Sequence, residues 1–400
     1  MIRPTLRPVV TTTSRPSRVY LDHAAGTPMR PEAIEAMAAE LARTGNASSL
    51  HGSGRAARAA VEDARERIAD AVGADPVEVV FTSGGTEADN LAVKGSAWSG
   101  ASRGRDVLLG STVEHHAVLD PLGWLADGGT PVEWVGVDRD GRLDLDHLAS
   151  LLERSADRAA LVTAMWANNE VGTLTPVDEV AELAHRYGAV AHADAVQALG
   201  HVPLDFAASG LDALTISAHK LGGPVGTGAL IAKRDLALVP VQHGGGQERD
   251  VRSGTLDVAA VVGFAVAVEV AVADVASSAV RLRGLRDQLV ADALETVPGT
   301  SVNSTPDGLP GLANLTFEGA DADAVLMLLD EVGIDCSVGS ACSAGVSQTS
   351  HVLLAMGRTP EQAGCSLRFS LGHTSTGADV DALRAALPRA VATARSIAPR

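Results

Sequence analysis

Four hundred residues, 46% apolar and 20% charged, can bury a large core and suit two domains, which excludes a globally disordered chain. A net charge of −17 argues against a nucleic-acid-binding body, because phosphate contacts need clustered Lys and Arg. Three cysteines, Cys336, Cys342 and Cys365, give neither a disulfide framework nor metal-ligand spacing, so a reducing, cytoplasmic setting and no structural metal are expected.

The chain opens with MIRPTLRPVVTTTSRPSR, which holds four Arg and no acid. No apolar stretch of secretory-signal length occurs in it. Pro4, Pro8 and Pro16 oppose an amphipathic transit helix. The composition predicts a disordered extension over 1–18.

Pro31 then opens the helix PEAIEAMAAELART, and Gly45 closes it. Ser53 is placed to cap a second helix that ends near Gly73. Farther on, short β-branched runs alternate with Ala/Leu/Glu-rich stretches. The runs 77–81, 106–109, 132–135, 161–164, 189–191 and 214–216 predict strands, and 87–98, 117–126 and 178–187 predict helices. Apolar runs without alternation mean strands covered on both faces. The pattern is α/β with a mainly parallel sheet.

The most apolar run, 258–275, is interrupted by Glu269 and Asp274. It reads as a buried helix, not a membrane span. Beyond about Ala260 the texture changes. A long helical stretch precedes a strand near 313–317, a helix at 321–331, strands near 334–337 and 366–371, and a last helix at 379–396. A large domain over 19–260 and a smaller α+β domain over 261–400 are expected.

Six clusters carry the chemistry. Thr82-Ser83-Gly84-Gly85-Thr86-Glu87 lies between a strand and a helix, where free N–H groups and the helix dipole favour an anion. It lacks the lysine of a P-loop, and an ordinary turn fits the same six residues. Glu114-His115-His116 marks the next strand-to-helix switch. A histidine there can stack on a flat ring and titrate near neutrality, or be structural. Asp194, in HADAVQ, ends an apolar strand at the edge where open α/β sheets bind ligands. A carboxylate there can keep a pyridine nitrogen protonated, and it can equally cap a helix.

The fourth cluster is SAHKLGGP. Lys220 directly follows a buried strand, where lysine is rare unless paired or used. Such a lysine can form a Schiff base with an aldehyde cofactor, and burial favours its nucleophilic neutral form. A solvated turn lysine is the alternative. The fifth is the Gly/Ser/Ala-rich stretch around Cys342, a setting that suits a reactive thiol better than a packed one. Cys336 and Cys365 have strand-like apolar neighbours and read as core. In the sixth, SLRFS, Arg368 alternates with apolar residues. Its fork suits an α-carboxylate or a structural ion pair.

In this order the segments resemble the cysteine desulfurases, most closely the NifS/IscS branch. YLDHAAGTP, GNASSLHGSGR, FTSGGTEADN, VEHHAVLD, MWANNEVGT, HADAVQ, SAHKLGGPVG, HGGGQERDVRSGT, GSACSAG and SLRFSLG all match in kind, from about Val19 to the last helix. Ala47, where many relatives carry Pro, and the long N-terminal extension depart from the pattern.

The resemblance implies a fold-type-I PLP-dependent transferase, with pyridoxal 5'-phosphate held by Lys220. Lys220 would also move a proton at the substrate carbon. Asp194 would pair with the pyridine nitrogen, Gln197 would reach the ring hydroxyl, and His115 would stack on the ring and transfer protons. Gly85, Thr86, Ser217 and His219 would bind the phosphate. Thr255 would come from the second subunit of a homodimer. Asn169 and Arg368 would hold the carboxylate of L-cysteine. Cys342 would take its sulfur as a persulfide, on a loop like that of the long-loop group. A sulfur-acceptor protein would then receive it, for iron–sulfur cluster assembly or other thiolation. Another PLP enzyme of this fold, a selenocysteine lyase or an aminotransferase, and a PLP-free sulfur carrier are the rival readings.

Overall fold

The computed structural model describes residues 18–339 and 349–397. Most of the expected extension and Cys342 lie outside them. Arg18, at the extension's end, pairs with Asp335 at 2.7 Å and with Asp330.

The chain enters at β1 (Val19–Tyr20). Then β2 (Val79–Thr82), β3 (Val107–Ser111), β4 (Val132–Val135), β5 (Ala159–Thr163), β6 (Val190–Asp194), β7 (Ala213–Ser217) and β8 (Gly228–Ala232) build one sheet. Its order is β2-β8-β7-β6-β5-β3-β4. The stretch from β7 to β4 is parallel, whereas β8 runs antiparallel to both β2 and β7. Each expected strand of the large domain is present within a few residues. β8 was not foreseen. It is a short apolar run between glycine-rich loops, and nothing local separates it from a loop.

Helices α1 (Pro31–Leu41), α2 (Gly52–Val72), α3 (Gly85–Ala101), α4 (His116–Asp127), α5 (Leu145–Ser155), α6 (Val177–Arg186), α7 (Phe206–Ser209) and α8 (Val258–Ala273) belong to this half of the chain. Adjacent strand residues bury on opposite faces. Leu109 and Val162 belong to the larger core, which also holds Ile68, Phe264 and Val268. Their neighbours Leu108 and Leu161 pack with Val93, Val118 and Leu122 on the other side. Two covered faces explain the unbroken apolar runs. The cap of α2 is His51, whose Nδ1 accepts from Gly54 N–H at 3.3 Å, and not Ser53. Gly73 closes that helix at φ +69°, a left-handed position that suits glycine.

The second unit comprises α9 (Val275–Thr296), β9 (Thr300–Val302), β10 (Leu312–Phe317), α10 (Ala322–Glu331), β11 (Ile334–Asp335), α11 (His351–Ala355), α12 (Pro360–Gly364), β12 (Ser366–Ser370) and α13 (Gly377–Ile397). Its antiparallel sheet has the order β12-β10-β9. Leu289, Phe317, Leu329, Phe369 and Leu387 centre its own core. Two segments cross the expected boundaries. Leu21 joins this second core, and β1 pairs parallel with β11. Conversely, α8 spans position 260 and buries Val261, Phe264 and Val268 in the larger core. An Ala/Val helix that is apolar all round reads alike in either unit, so composition could not assign it.

Among the described residues no single helix is long and apolar enough to cross a membrane. The α8–α9 pair reaches that length only together, with a 69° bend between its parts.

Candidate active site

The parallel strands β3, β5, β6 and β7 direct their carboxyl ends at one cavity of about 310 Å³. This is the edge where an open α/β sheet receives ligands. β12 closes it from the second unit by presenting Arg368, and the segment after β1 supplies Ala24 and Ala25.

Lys220 sits in a single 3₁₀ turn just past β7. Its Nζ donates to Ala24 O at 2.6 Å and to Ala25 O at 3.0 Å. Burial pulls its pKa down to about 8, and the charge of Arg368 adds to that, against Asp194 and Asp22. The ammonium is therefore easily relieved of its proton, as a nucleophilic lysine requires.

Asp194 is the last residue of β6 and is 5% exposed. Its Oδ1 accepts from Val196 N–H at 2.8 Å. Burial raises its pKa to about 6, against the Val196 hydrogen bond and the charge of Lys220. A buried carboxyl of this kind gains most from a cationic partner. It caps no helix here.

Beside it lie two more buried carboxyls, Asp89 and Glu114, each with one oxygen that has no hydrogen-bond partner among the described residues. Burial and the Asp194 charge hold Asp89 well above the usual carboxylate range. Burial pushes Glu114 up to about 8, although Met165 N–H donates to its Oε1 at 2.6 Å. His192 lies in the same layer, between the hydroxyls of Thr163 (2.9 Å) and Thr215 (3.0 Å), and burial holds it neutral, down at about 3.

Glu114 permits a clean pH test. Its folded pKa lies above the ordinary 4.5. The stability held by its protonated form is full below 4.5 and is lost as pH rises through about 8. Glu114→Gln mimics the protonated acid at every pH. The variant should gain on the parent by roughly 1.4 kcal/mol per pH unit within that window, read from urea midpoints of the apo-protein. A gap that stays constant across the window refutes a buried neutral Glu114.

The opposite end of the cavity suits an anion. Helix α3 starts at Gly85, so its first amides have no acceptor within the helix. Gly84 has φ +145°, and a Cβ on Gly85 would stand 2.9 Å from Val196 Cγ2. Thr86 lines the same corner, as do Ser217 and His219, whose Oγ and Nδ1 are 2.8 Å apart. His115 caps α4, with Nδ1 accepting from Ala117 N–H at 3.1 Å. That bond leaves the proton of the neutral ring on Nε2. Burial and then the Lys220 charge hold His115 down at about 4.

Gln197 donates from Nε2 to Ala24 O at 2.8 Å. On the other wall, Arg368 Nη2 meets Asp22 Oδ1 at 2.7 Å, and Nη1 donates to the main-chain oxygen of Asn169 at 2.9 Å. Arg368 Nε is buried without an acceptor among the described residues. The structural ion pair is thus real, and Arg368 also lines the cavity.

Ten of the expected residues meet in this cavity: Gly85, Thr86, His115, Asn169, Asp194, Gln197, Ser217, His219, Lys220 and Arg368. Thr255 does not. It is exposed and outside the cavity, in a loop that Arg252 ties to Glu87 at 2.8 Å. Cys342 lies outside the described residues. Cys336 and Cys365 are each half-buried, and burial pushes the Cys336 thiol up to about 12. Sequence reasoning overlooked Asp22, Ala24, Asp89 and Glu114. Their motifs were in view, but main-chain acceptors and buried acids leave no mark in a pattern of residue types.

A family model, "Aminotransferase class-V", matches residues 19–383. An IscS-like cysteine desulfurase of Mycobacterium tuberculosis is 54% identical over 384 residues, 95% of this chain and 98% of the relative. The chain belongs to the class-V aminotransferase family, in its IscS/NifS cysteine desulfurase branch. Among solved structures, a NifS-like protein aligns with TM-score 0.88 and 33% identity, covering 94% of this chain and all of that one. Another, described as SspA in complex with cysteine, aligns with TM-score 0.76 and 33% identity over 88% of this chain and 99% of that one. The α/β architecture with its mainly parallel sheet is that of the fold-type-I enzymes.

The family works with PLP, and the cavity fits that molecule. An anion cradle at α3, a nucleophilic lysine and a carboxyl in need of a cation occupy separate parts of one space. These match a phosphate, an aldehyde and a protonated ring nitrogen in turn.

Proposed function

We propose that this chain is a PLP-dependent cysteine desulfurase that converts L-cysteine to L-alanine and leaves the sulfur on Cys342 as a persulfide. The observation that carries the reading is the meeting of Lys220, Asp194 and Arg368 with the α3 N-terminus in one cavity. PLP, when bound, supplies an electron sink at the substrate's α-carbon.

The chain's own groups do the rest. Gly85, Thr86, Ser217 and His219 hold the phosphate, and Asp194 keeps the ring nitrogen protonated. With the cofactor in place, Gln197 would bond the ring hydroxyl and His115 would stack on the ring. Lys220 anchors the cofactor and then carries protons at the substrate carbon. Arg368 and the Asn169 side chain hold the substrate carboxylate.

Cys342 attacks the substrate sulfur as its bond to Cβ breaks. That electron pair returns to the substrate, a proton joins it, and alanine leaves. The sulfur is oxidised to the persulfide level while the carbon is reduced to a methyl group, so no outside oxidant is needed. An acceptor protein, for iron–sulfur cluster assembly or other thiolation, takes the sulfur from Cys342. The reading includes the long-loop group, a cytoplasmic setting, a large domain over 19–260 and a small one over 261–400. Thr255, exposed and outside its own cavity, serves the neighbouring subunit of a homodimer.

With L-cysteine and a reducing thiol, the protein should release alanine and sulfide in equal amounts. Light scattering should give the mass of a dimer. A keto acid as product points to transamination and overturns the reading, as does a preparation that takes up no PLP. Activity confined to selenocysteine supports the lyase alternative, and a fully active monomer removes the role of Thr255.

A further inference from the structure

The segment that follows β1 is pinned along β12, the strand that carries Arg368. Ser370 N–H donates to Leu21 O at 2.8 Å, and His23 N–H donates to Ser370 O at 3.2 Å. Ala24 N–H adds a bond to Ser370 Oγ at 2.9 Å. Asp22 lies between these anchors, two residues along β12 from Arg368 in the register. Its backbone has little freedom, and its carboxylate reaches Arg368 Nη2 at 2.7 Å. The Asn169 carbonyl holds Nη1 at 2.9 Å. A planar guanidinium gripped at both ends cannot rotate. The N–H groups that Arg368 presents to the cavity therefore keep a fixed direction. The same segment accepts from Lys220 and Gln197 through Ala24 O.

Two effects follow from this grip. The guanidinium plane is set before a ligand arrives, so its ordering entropy is not charged to binding. The ion pair is also close to neutral. A buried, unpaired Arg368 would hold any anion, whereas the paired one offers only directed N–H groups.

We propose that Asp22 is a positioning residue for substrate recognition: it aims Arg368 at the α-carboxylate of the incoming amino acid. This rests on the reading that Arg368 binds that carboxylate. Asp22 itself touches neither substrate nor cofactor.

The test uses holoenzyme and two probes that differ by one group. L-Alanine has the α-carboxylate, and ethylamine is the same molecule without it. Binding of each is followed by calorimetry and by the change in the cofactor's visible band. Asp22→Asn should weaken L-alanine about tenfold and leave ethylamine within twofold. In an Arg368→Ala background, Asp22→Asn should add less than a further twofold, because its route of action is gone. Equal weakening of both probes marks a merely structural residue and overturns the proposal. So does an unchanged affinity for L-alanine, or a full additional loss without Arg368.

Arg368→Ala alone separates the two layers of the argument. If it leaves L-alanine binding intact, the assignment of Arg368 falls and takes this inference with it. If it weakens L-alanine while Asp22→Asn does not, only the inference falls. Should Asp22→Asn fail to fold, Asp22→Glu keeps the charge and moves it by one methylene. That variant must weaken L-alanine at least threefold and spare ethylamine, and a Glu variant indistinguishable from the parent overturns the proposal.

Discussion

Lys220→Ala should lower desulfurase turnover by roughly 10²–10⁴-fold, the range for losing a positioned proton carrier, and should remove the visible absorbance band of the bound cofactor. Both effects come from one atom. Nζ lies 2.6 Å from Ala24 O and 3.0 Å from Ala25 O, at the end of β7. Burial holds its pKa down at about 8, so the neutral amine grows in as pH passes that value. The rate of cofactor capture by apo-protein should rise through the same pH. Lys220→Arg keeps a charge but cannot supply a neutral amine, and it should fail as Ala does. Circular dichroism should report both variants folded, because Lys220 packs into no core. A Lys220→Ala enzyme that keeps its band and its turnover refutes the assignment. Capture that is equally fast at pH 6 and 9 refutes the depressed pKa.

Much of this site was legible because type I chemistry places each group at a strand end. Asp194, Ser217 and Lys220 stand at or just past the carboxyl ends of β6 and β7. Short apolar runs marked those ends in the sequence. Gly84 and Gly85 stand out for a similar reason: Gly84 has φ +145°, and the backbone at Gly85 passes so close to Val196 that a Cβ would stand 2.9 Å from its Cγ2. Such residues differ from their neighbours in type, and type is what a sequence displays.

Other features depend on contacts between distant segments, which residue type does not encode. Ala24 and Ala25 serve Lys220 through carbonyl oxygens, so any residue could fill their places as far as pattern is concerned. Asp22 looked like one more acid in YLDHAAGTP, yet it pairs with Arg368 across 346 positions of chain. Asp89 falls within the stretch 87–98 expected as helix, and its burial comes from α3 packing against β6 and β7. The course of α8 across position 260 has the same origin. Composition changes there, but α8 packs back onto α1 and α2, and only the folded chain reveals it.

Cys342→Ala should cut sulfur release from L-cysteine by on the order of 10³-fold or more, about 4 kcal/mol of transition-state stabilisation. Of the other two thiols, Cys336 is held in its protonated form by burial and by Asp22, at about 12. A thiol of that kind is a poor nucleophile at neutral pH. Cys365 closes α12, and neither it nor Cys336 lines the cavity. Cys342, the third cysteine, is the thiol that the proposed function assigns to the sulfur. The lesion should be specific. Cys342→Ala should keep the cofactor band and its affinity for L-alanine, because Lys220, Asp194 and Arg368 are untouched. Cys336→Ala and Cys365→Ala should retain turnover to within about twofold, since neither thiol has a role in the chemistry. After a pulse of L-cysteine, mass spectrometry of the parent should find one additional sulfur on the peptide that contains Cys342. A Cys342→Ala enzyme that releases sulfide at the parental rate, or a persulfide found on Cys336 instead, would transfer the role to another group and leave Lys220 as the only part of the mechanism intact.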